Sequence, residues 1–182
     1  MGLMQAEFPS PVRRSSIAMG VSEFTDQPAL PAVPIELDVL KDTVPASSSV
    51  LNEDTTRMAL ASVQALEQPG LLHLATHASF DNRSPESSMI HLWNEDLSMK
   101  DFSELGWGES DLELLILSAC STALSGRNSE LGFAGLAAAA GVDATVGSLW
   151  EVSDVGTLAL MSEFYTQLEK TALRGEALRR AQ

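Results

Sequence analysis

One cysteine and one histidine stand where two apolar runs of the chain end. Cys120, the only cysteine, follows "LELLIL" within "LELLILSACSTALSG", and His77 closes the run "LLHLATH". A free thiol has a pKa of about 8.5 and is mostly protonated at neutral pH, whereas a nearby imidazole can take its proton and leave a nucleophilic thiolate. The two residues are therefore candidates for a dyad in which Cys120 attacks a carbonyl carbon and His77 is the general base.

The elements that must position these residues alternate between short apolar runs and helical periodicity. Strands are predicted near "SSIAMGV", "LLHLATH", "SMIHLW", "LELLIL" and "ATVGSL". Helices are predicted to open at Pro34, to run from caps at Asn52 or Asp54 through "TTRMALASVQALE", to start at Ser98, to include "ELGFAGLAAAA", and to span about 154–170. This order predicts an α/β fold, a mostly parallel sheet with helices on both faces.

In an open parallel sheet, functional residues gather outside the carboxyl ends of the strands. His77 and Cys120 each follow a predicted strand and are 43 residues apart, which leaves room for a hairpin and a helix between them. We expect them to be neighbours in space, with the backbone N–H groups of Ala78 and Cys120 available to bind the oxyanion of a tetrahedral intermediate. This chemistry requires neither a metal nor another cofactor.

Each of these residues also has an ordinary structural interpretation. Cys120 taken alone fits a small buried hydrophobe, and His77 taken alone fits a hydrogen-bonded core histidine. His73 lies on the face of its strand opposite to Leu72 and Leu74, and we interpret it as a structural histidine. His91 is interpreted in the same way.

Composition limits the classes of function. With 182 residues the chain is about one domain, and its formal charge of −14 argues against direct nucleic-acid binding and favours a basic peptide or protein. A single cysteine cannot form an intramolecular disulfide, so a cytoplasmic setting is expected. The longest uncharged apolar stretch, 131–142, is too short to cross a bilayer, and no membrane association is expected. Residues 1–14 are predicted to be a disordered or leader segment.

Four segments of the sequence resemble, in order, the motifs of the CHAT domain, a caspase-like family related to separase. The segments are "LLHLATHASF", "DLELLILSACSTALSG", "GLAAAAGVDATVGSLWEVSDVGTLALMSEFYTQL" and "GEALRRAQ", and the resemblance covers about 15–182. It implies a caspase-hemoglobinase-like α/β fold and a cysteine peptidase dyad at His77 and Cys120. The family usually has a glycine where Ala78 stands, and usually continues beyond Gln182 to a last strand, which we therefore expect this sequence to lack.

The same resemblance implies a substrate preference. Separase-like proteases carry an acid that meets a basic side chain just before the cut bond, and the matching residue is Asp154, with Glu151 as the second candidate. Either Ser153 or Asp154 also fits a helix cap. The substrate is expected to be a protein or peptide, and a regulatory partner or repeat domain is expected to act with the domain. The alternatives are an inactive caspase-like interaction module and a small-molecule-binding doubly wound domain, although the latter lacks a nucleotide fingerprint.

Overall fold

The protein is described by a computed structural model. The described residues are 15–79, 81, 84, 87–107, 112–118, 137, 140–147, 153–171 and 174–182. Cys120, Glu151 and most of the predicted helix "ELGFAGLAAAA" lie outside this part of the chain.

The described part of the central sheet has five parallel strands. They are β1 (Ser16–Gly20), β2 (Ser47–Leu51), β3 (Leu71–Ala75), β7 (Leu114–Ser118) and β8 (Thr145–Gly147), in the order β2-β1-β3-β7-β8. β1, β3 and β7 are buried along their whole length, which is why they read as continuous apolar runs in the sequence.

A second, antiparallel sheet follows β3. It consists of β4 (Ala78–Ser79), β5 (Met89–Leu92) and β6 (Glu95–Ser98), in that order. Ala78 pairs with Ile90, and Ile90 with Leu97, so these three buried side chains share the face that packs on the core. The alternate residues of the same strands therefore lie on the outer face.

Helices cover both faces of the central sheet. α1 (Val33–Thr43), α4 (Asp154–Leu168) and α5 (Arg174–Ala181) supply the core on one face, while α2 (Arg57–Ser62) and α3 (Met99–Glu104) join the small sheet on the other. Short turns of 3₁₀ type (Asn52–Asp54) and π type (Val63–Glu67) flank α2. Within the described residues, no helix combines the length and apolar character needed to span a bilayer.

The predicted α/β class with a mostly parallel sheet is confirmed, and local details differ. Thr56, not Asn52 or Asp54, caps α2, because its hydroxyl accepts the N–H of Ala59. Asn52 instead has a φ of 51° and accepts hydrogen bonds from Ser22 through its side chain. Strands β2, β4 and β6 were not predicted, and the strand predicted in "SMIHLW" is β5 of the antiparallel sheet.

Candidate functional site

The carboxyl ends of β3 and β7 lie side by side. Ala75 pairs with Ser118, and the N–H of Thr76 donates to the carbonyl of Ser118 at 3.2 Å. His77 follows Ala75 by two residues, and along the chain Cys120 follows Ser118 by two residues, although Cys120 itself lies outside the described residues. The register thus brings the two segments that lead to the predicted dyad to the same level of the sheet.

The hydrogen bond that His77 makes fixes the position of its ring hydrogen. Nε2 lies 2.8 Å from the carbonyl oxygen of Pro28. Because a carbonyl only accepts, Nε2 carries the hydrogen, and in the neutral ring Nδ1 has a free lone pair. Nδ1 is buried and has no hydrogen-bond partner among the described residues. An unpartnered buried acceptor costs about 1–3 kcal/mol, so its presence calls for an explanation.

The segment 21–32 between β1 and α1 holds the other side of the His77 ring. Phe24 packs against the imidazole with ring centroids 4.7 Å apart, and Pro28 supplies the accepting carbonyl. The segment is closed on itself by a hydrogen bond from the N–H of Leu30 to the carbonyl of Ser22. Sequence reasoning missed Phe24 and Pro28, because neither residue type nor spacing marks a backbone carbonyl as a partner of a distant histidine.

The backbone at Ala78 leaves its N–H directed away from β5. The N–H of His91 donates to the carbonyl of His77 at 2.9 Å, which makes Ala78 and Ile90 a non-hydrogen-bonded antiparallel pair. In such a pair the N–H groups point away from the partner strand. Ala78 is also outside the set of described residues with positive φ, so alanine adopts this geometry without the left-handed conformation that favours glycine.

Asp154 is a link between two helices. Ser153 caps α4 by accepting the N–H of Gly156, whereas Asp154 Oδ2 accepts the N–H of Ala32 at 2.6 Å, just before α1. Its carboxylate therefore satisfies one of the free N–H groups at the start of α1. Asp154 is half-buried. Glu151, the second acid predicted for substrate binding, lies outside the described residues.

A cavity of about 400 Å³ opens beside Phe24. It lies between segment 21–32 and the β5–β6 hairpin, and its carboxylate side chains are Glu23, Asp26, Glu95 and Asp96. This lining favours cationic over anionic ligands. No cluster of three or more metal-ligating side chains occurs in the described ranges.

His73 is part of a buried network, as its interpretation as a structural residue predicts. Its Nδ1 lies 2.6 Å from the hydroxyl of Tyr165, and its Nε2 lies 3.3 Å from Glu36 Oε1 without the alignment of a hydrogen bond. Burial, and secondly the negative charge of Glu36, raise the pKa of Tyr165 well above its usual value. The network joins α1, β3 and α4 through the core.

His91 is hydrogen-bonded at both ring nitrogens on the outer face of the small sheet. Nε2 lies 2.7 Å from Ser79 Oγ, and Nδ1 lies 2.6 Å from Asp96 Oδ1. The sequence did not predict this grouping, because the three residues meet only through the pairing of three strands.

The sequence comparisons agree with the fold. The family model of the CHAT domain matches residues 2–182, so the chain belongs to the CHAT domain family, a caspase-like group related to peptidases. No curated protein matches the chain.

Proposed function

We propose that the chain is a cysteine endopeptidase in which Cys120 is the nucleophile and His77 the general base. The observation that carries this proposal is the register of β3 and β7, which pairs Ala75 with Ser118 two residues before each member of the dyad. Membership of the CHAT family supports the same assignment.

The environment of His77 suits a base. Its Nε2 is occupied by the carbonyl of Pro28, so Nδ1 is the nitrogen available to take the thiol proton. The proton passes from Sγ of Cys120 to Nδ1, and the thiolate attacks the peptide carbonyl carbon. The N–H groups of Ala78 and Cys120 bind the oxyanion. The C–N bond then breaks, the leaving amine takes the proton from His77, and water hydrolyses the thioester to release the acid and regenerate the thiol.

The substrate is a protein or peptide with a basic residue before the cut bond. The net charge of −14 and the carboxylate-lined cavity beside Phe24 both favour cationic substrates. Asp154 and Glu151 are the acids that we assign to this preference. Because Asp154 also accepts a hydrogen bond from Ala32, its charge and its role as an acceptor need separate tests.

The test of the dyad measures the alkylation rate of Cys120 at mildly acidic pH in the parent protein and in His77→Gln. Glutamine retains a side-chain N–H for the Pro28 carbonyl but cannot act as a base, so the segment stays in place. We expect alkylation at least about tenfold slower in His77→Gln, because the thiolate fraction falls. Peptide cleavage should fall by about 10²-fold or more.

Cys120→Ser is the matched control for cleavage and should abolish it while the circular dichroism spectrum is unchanged. Equal alkylation rates in the parent and His77→Gln, together with no cleavage of any peptide, would reject the dyad. That result would favour the alternative of an inactive caspase-like interaction module.

The test of specificity measures kcat/KM for matched peptides with Arg, Lys, Gln or Asp before the scissile bond. Asp154→Asn removes the charge and keeps an oxygen that accepts from Ala32, whereas Asp154→Ala removes both. A charge role predicts that Asp154→Asn loses about 2–5 kcal/mol of transition-state stabilisation on the Arg and Lys peptides alone. A loss restricted to Asp154→Ala and equal on all four peptides would assign Asp154 to the support of α1. Glu151→Gln is tested in parallel.

A further inference from the structure

The outer face of the small sheet carries a serine, a histidine and an aspartate in the order of a nucleophile, its base and the group that orients the base. Ser79 Oγ lies 2.7 Å from Nε2 of His91, and Asp96 Oδ1 lies 2.6 Å from Nδ1. Both distances lie within the hydrogen-bond range expected between members of a catalytic triad. None of the three belongs to the proposed dyad.

The pairing of the strands accounts for this arrangement. His91 pairs directly with Asp96, and Ser79 pairs with Met89, two residues before His91 on the same face. The opposite face of these strands is anchored in the core by Ala78, Ile90 and Leu97. The three polar side chains are therefore held by a rigid sheet rather than by loops.

The direction of the hydrogen bonds follows from the chemistry of the partners. The carboxylate of Asp96 only accepts, so Nδ1 of His91 carries the hydrogen. In the neutral ring Nε2 is then an acceptor and takes its hydrogen bond from the hydroxyl of Ser79. This is the polarity that a base needs in order to deprotonate a serine.

Ser79 is half-buried, and its two partners are open to solvent beside it. The side chain of His91 is 15% exposed and that of Asp96 is 56% exposed. Both residues line the cavity of about 400 Å³, which Phe24, Glu23 and Asp26 complete from the other side. This volume is in the range of small-molecule sites, about 300–1,000 Å³. An aromatic ring among carboxylates attracts a cationic group.

We propose that Ser79, His91 and Asp96 form a second hydrolytic site, one that cleaves small carboxylic esters bearing a cationic group. Ser79 and His91 are its catalytic residues, and Asp96 is a positioning residue. The inference does not depend on the peptidase activity, because Cys120 takes no part in it.

The reaction balances with water as the only co-reactant. The hydroxyl proton of Ser79 moves to Nε2 of His91 as Oγ bonds to the ester carbonyl carbon, and the ester C–O bond breaks as the leaving alcohol takes that proton. Water then attacks the acyl-serine, its proton passes through Nε2 to Oγ, and the carboxylic acid leaves.

The experiment measures hydrolysis of acetylcholine and of its uncharged isostere, in which carbon replaces the quaternary nitrogen. The full chain is assayed as the parent and as Cys120→Ser, a background that removes the thiol. We expect Cys120→Ser to retain hydrolysis, with kcat/KM at least about tenfold higher for the cationic ester than for the isostere. Ser79→Ala in this background should lower the rate by about 10²-fold or more. Ser103→Ala, an exposed serine on α3, is the matched control and should leave the rate unchanged.

Asp96 is tested by a readout that a purely structural role would not alter. Asp96→Asn should move the midpoint of the pH–rate profile to lower pH, because the charge that stabilises the imidazolium is lost, and Asp96→Glu should restore part of the rate. A fluorophosphonate should label Ser79, as shown by peptide mass mapping. Loss of hydrolysis in Cys120→Ser would assign it to the thiol, and unchanged hydrolysis in Ser79→Ala would assign it to another nucleophile. Either result, or the absence of hydrolysis of both esters by the parent, would overturn the proposal.

Discussion

The protein has two side-chain networks that each consist of a carboxylate, an imidazole and a hydroxyl, and they differ mainly in their access to water. Glu36, His73 and Tyr165 are enclosed in the core, where the His73 and Glu36 side chains are 0% and 1% exposed. Ser79, His91 and Asp96 use the same three chemical groups on an outer sheet face beside a cavity.

The difference shows that burial decides what such a network does. In the core each group depends on its neighbours, since water cannot replace a lost partner, and the network contributes to stability. On the sheet face water can compensate for a lost partner, so the stability contribution is small and the hydroxyl stays available to react.

His73→Leu should lower the free energy of unfolding by about 3–5 kcal/mol, because it leaves the carboxylate of Glu36 buried without its partner. The measurement is chemical denaturation at neutral pH. His91→Leu is the matched variant in the exposed network and should cost far less, since Asp96 is solvated. Equal losses in the two variants would contradict the contrast.

Tyr165→Phe should cost about 1–3 kcal/mol, because it removes the hydroxyl that Nδ1 of His73 faces. Tyr165 is the only tyrosine, so phenolate absorbance reports its ionisation alone. Since burial and Glu36 raise its pKa in the folded state, the protonated phenol stabilises the fold fully below the unfolded value of 10.0, and this stabilisation is lost as pH rises toward the folded pKa.

The parent should therefore lose stability above about pH 10, and phenolate should form together with unfolding. Tyr165→Phe should lack this part of the loss of stability at alkaline pH. Titration of the phenol at its ordinary pKa in the folded protein would show that the network is open to water.

Ser79→Ala should change the free energy of unfolding by less than about 1 kcal/mol, because water can take the place of the hydroxyl beside His91. Thermal and denaturant unfolding of Ser79→Ala and the parent provide the measurement. A loss of unfolding free energy as large as that of Tyr165→Phe would show that the exposed network, like the buried one, mainly stabilises the fold.

A third network lies at the surface of α5, where the side chains of Glu176, Arg179 and Arg180 are 27%, 71% and 47% exposed. Hydrogen bonds from Arg179, and next from Arg180, lower the pKa of Glu176 to about 2 from 4.5. The ionised carboxylate thus stabilises the fold above the unfolded pKa, and this stabilisation is lost as pH falls toward 2. Solvent and salt screen the pair, so Glu176→Gln should remove only a small, salt-sensitive part of the acid dependence. A salt-insensitive effect would contradict this assignment.

The sequence predicted those parts of the fold whose apolar residues form a short run or repeat with a helical period. β3 and β7 were recognisable as apolar runs, and the buried face of α4 repeats at Met161, Phe164 and Leu168. β2 was missed because three of its five residues are serines, which carry no apolar signal.

The candidate site was predictable only in part. The sequence placed His77 after the strand β3 and Cys120 after the strand β7. Because parallel strands end at the same edge of a sheet, it also predicted that the two residues lie at one edge. The Pro28 carbonyl, the bond from Ala32 to Asp154 and the meeting of Ser79 with His91 join segments 49, 122 and 12 residues apart. No periodicity of 2 or 3.6 residues encodes such contacts, because tertiary packing creates them.

The contacts that hold segment 21–32 should slow the exchange of backbone amide hydrogens in it. A stretch without helix or strand usually exchanges its amide hydrogens quickly, but this one is fastened by the bonds of Leu30 to Ser22, His77 to Pro28 and Ala32 to Asp154. The amides of Leu30 and Ala32, which donate two of these bonds, should therefore exchange with solvent deuterium on the slow timescale of the core. The exchange rate of the Ala32 amide therefore reports on its hydrogen bond to Asp154. Exchange of this amide should become fast in Asp154→Ala and stay slow in Asp154→Asn.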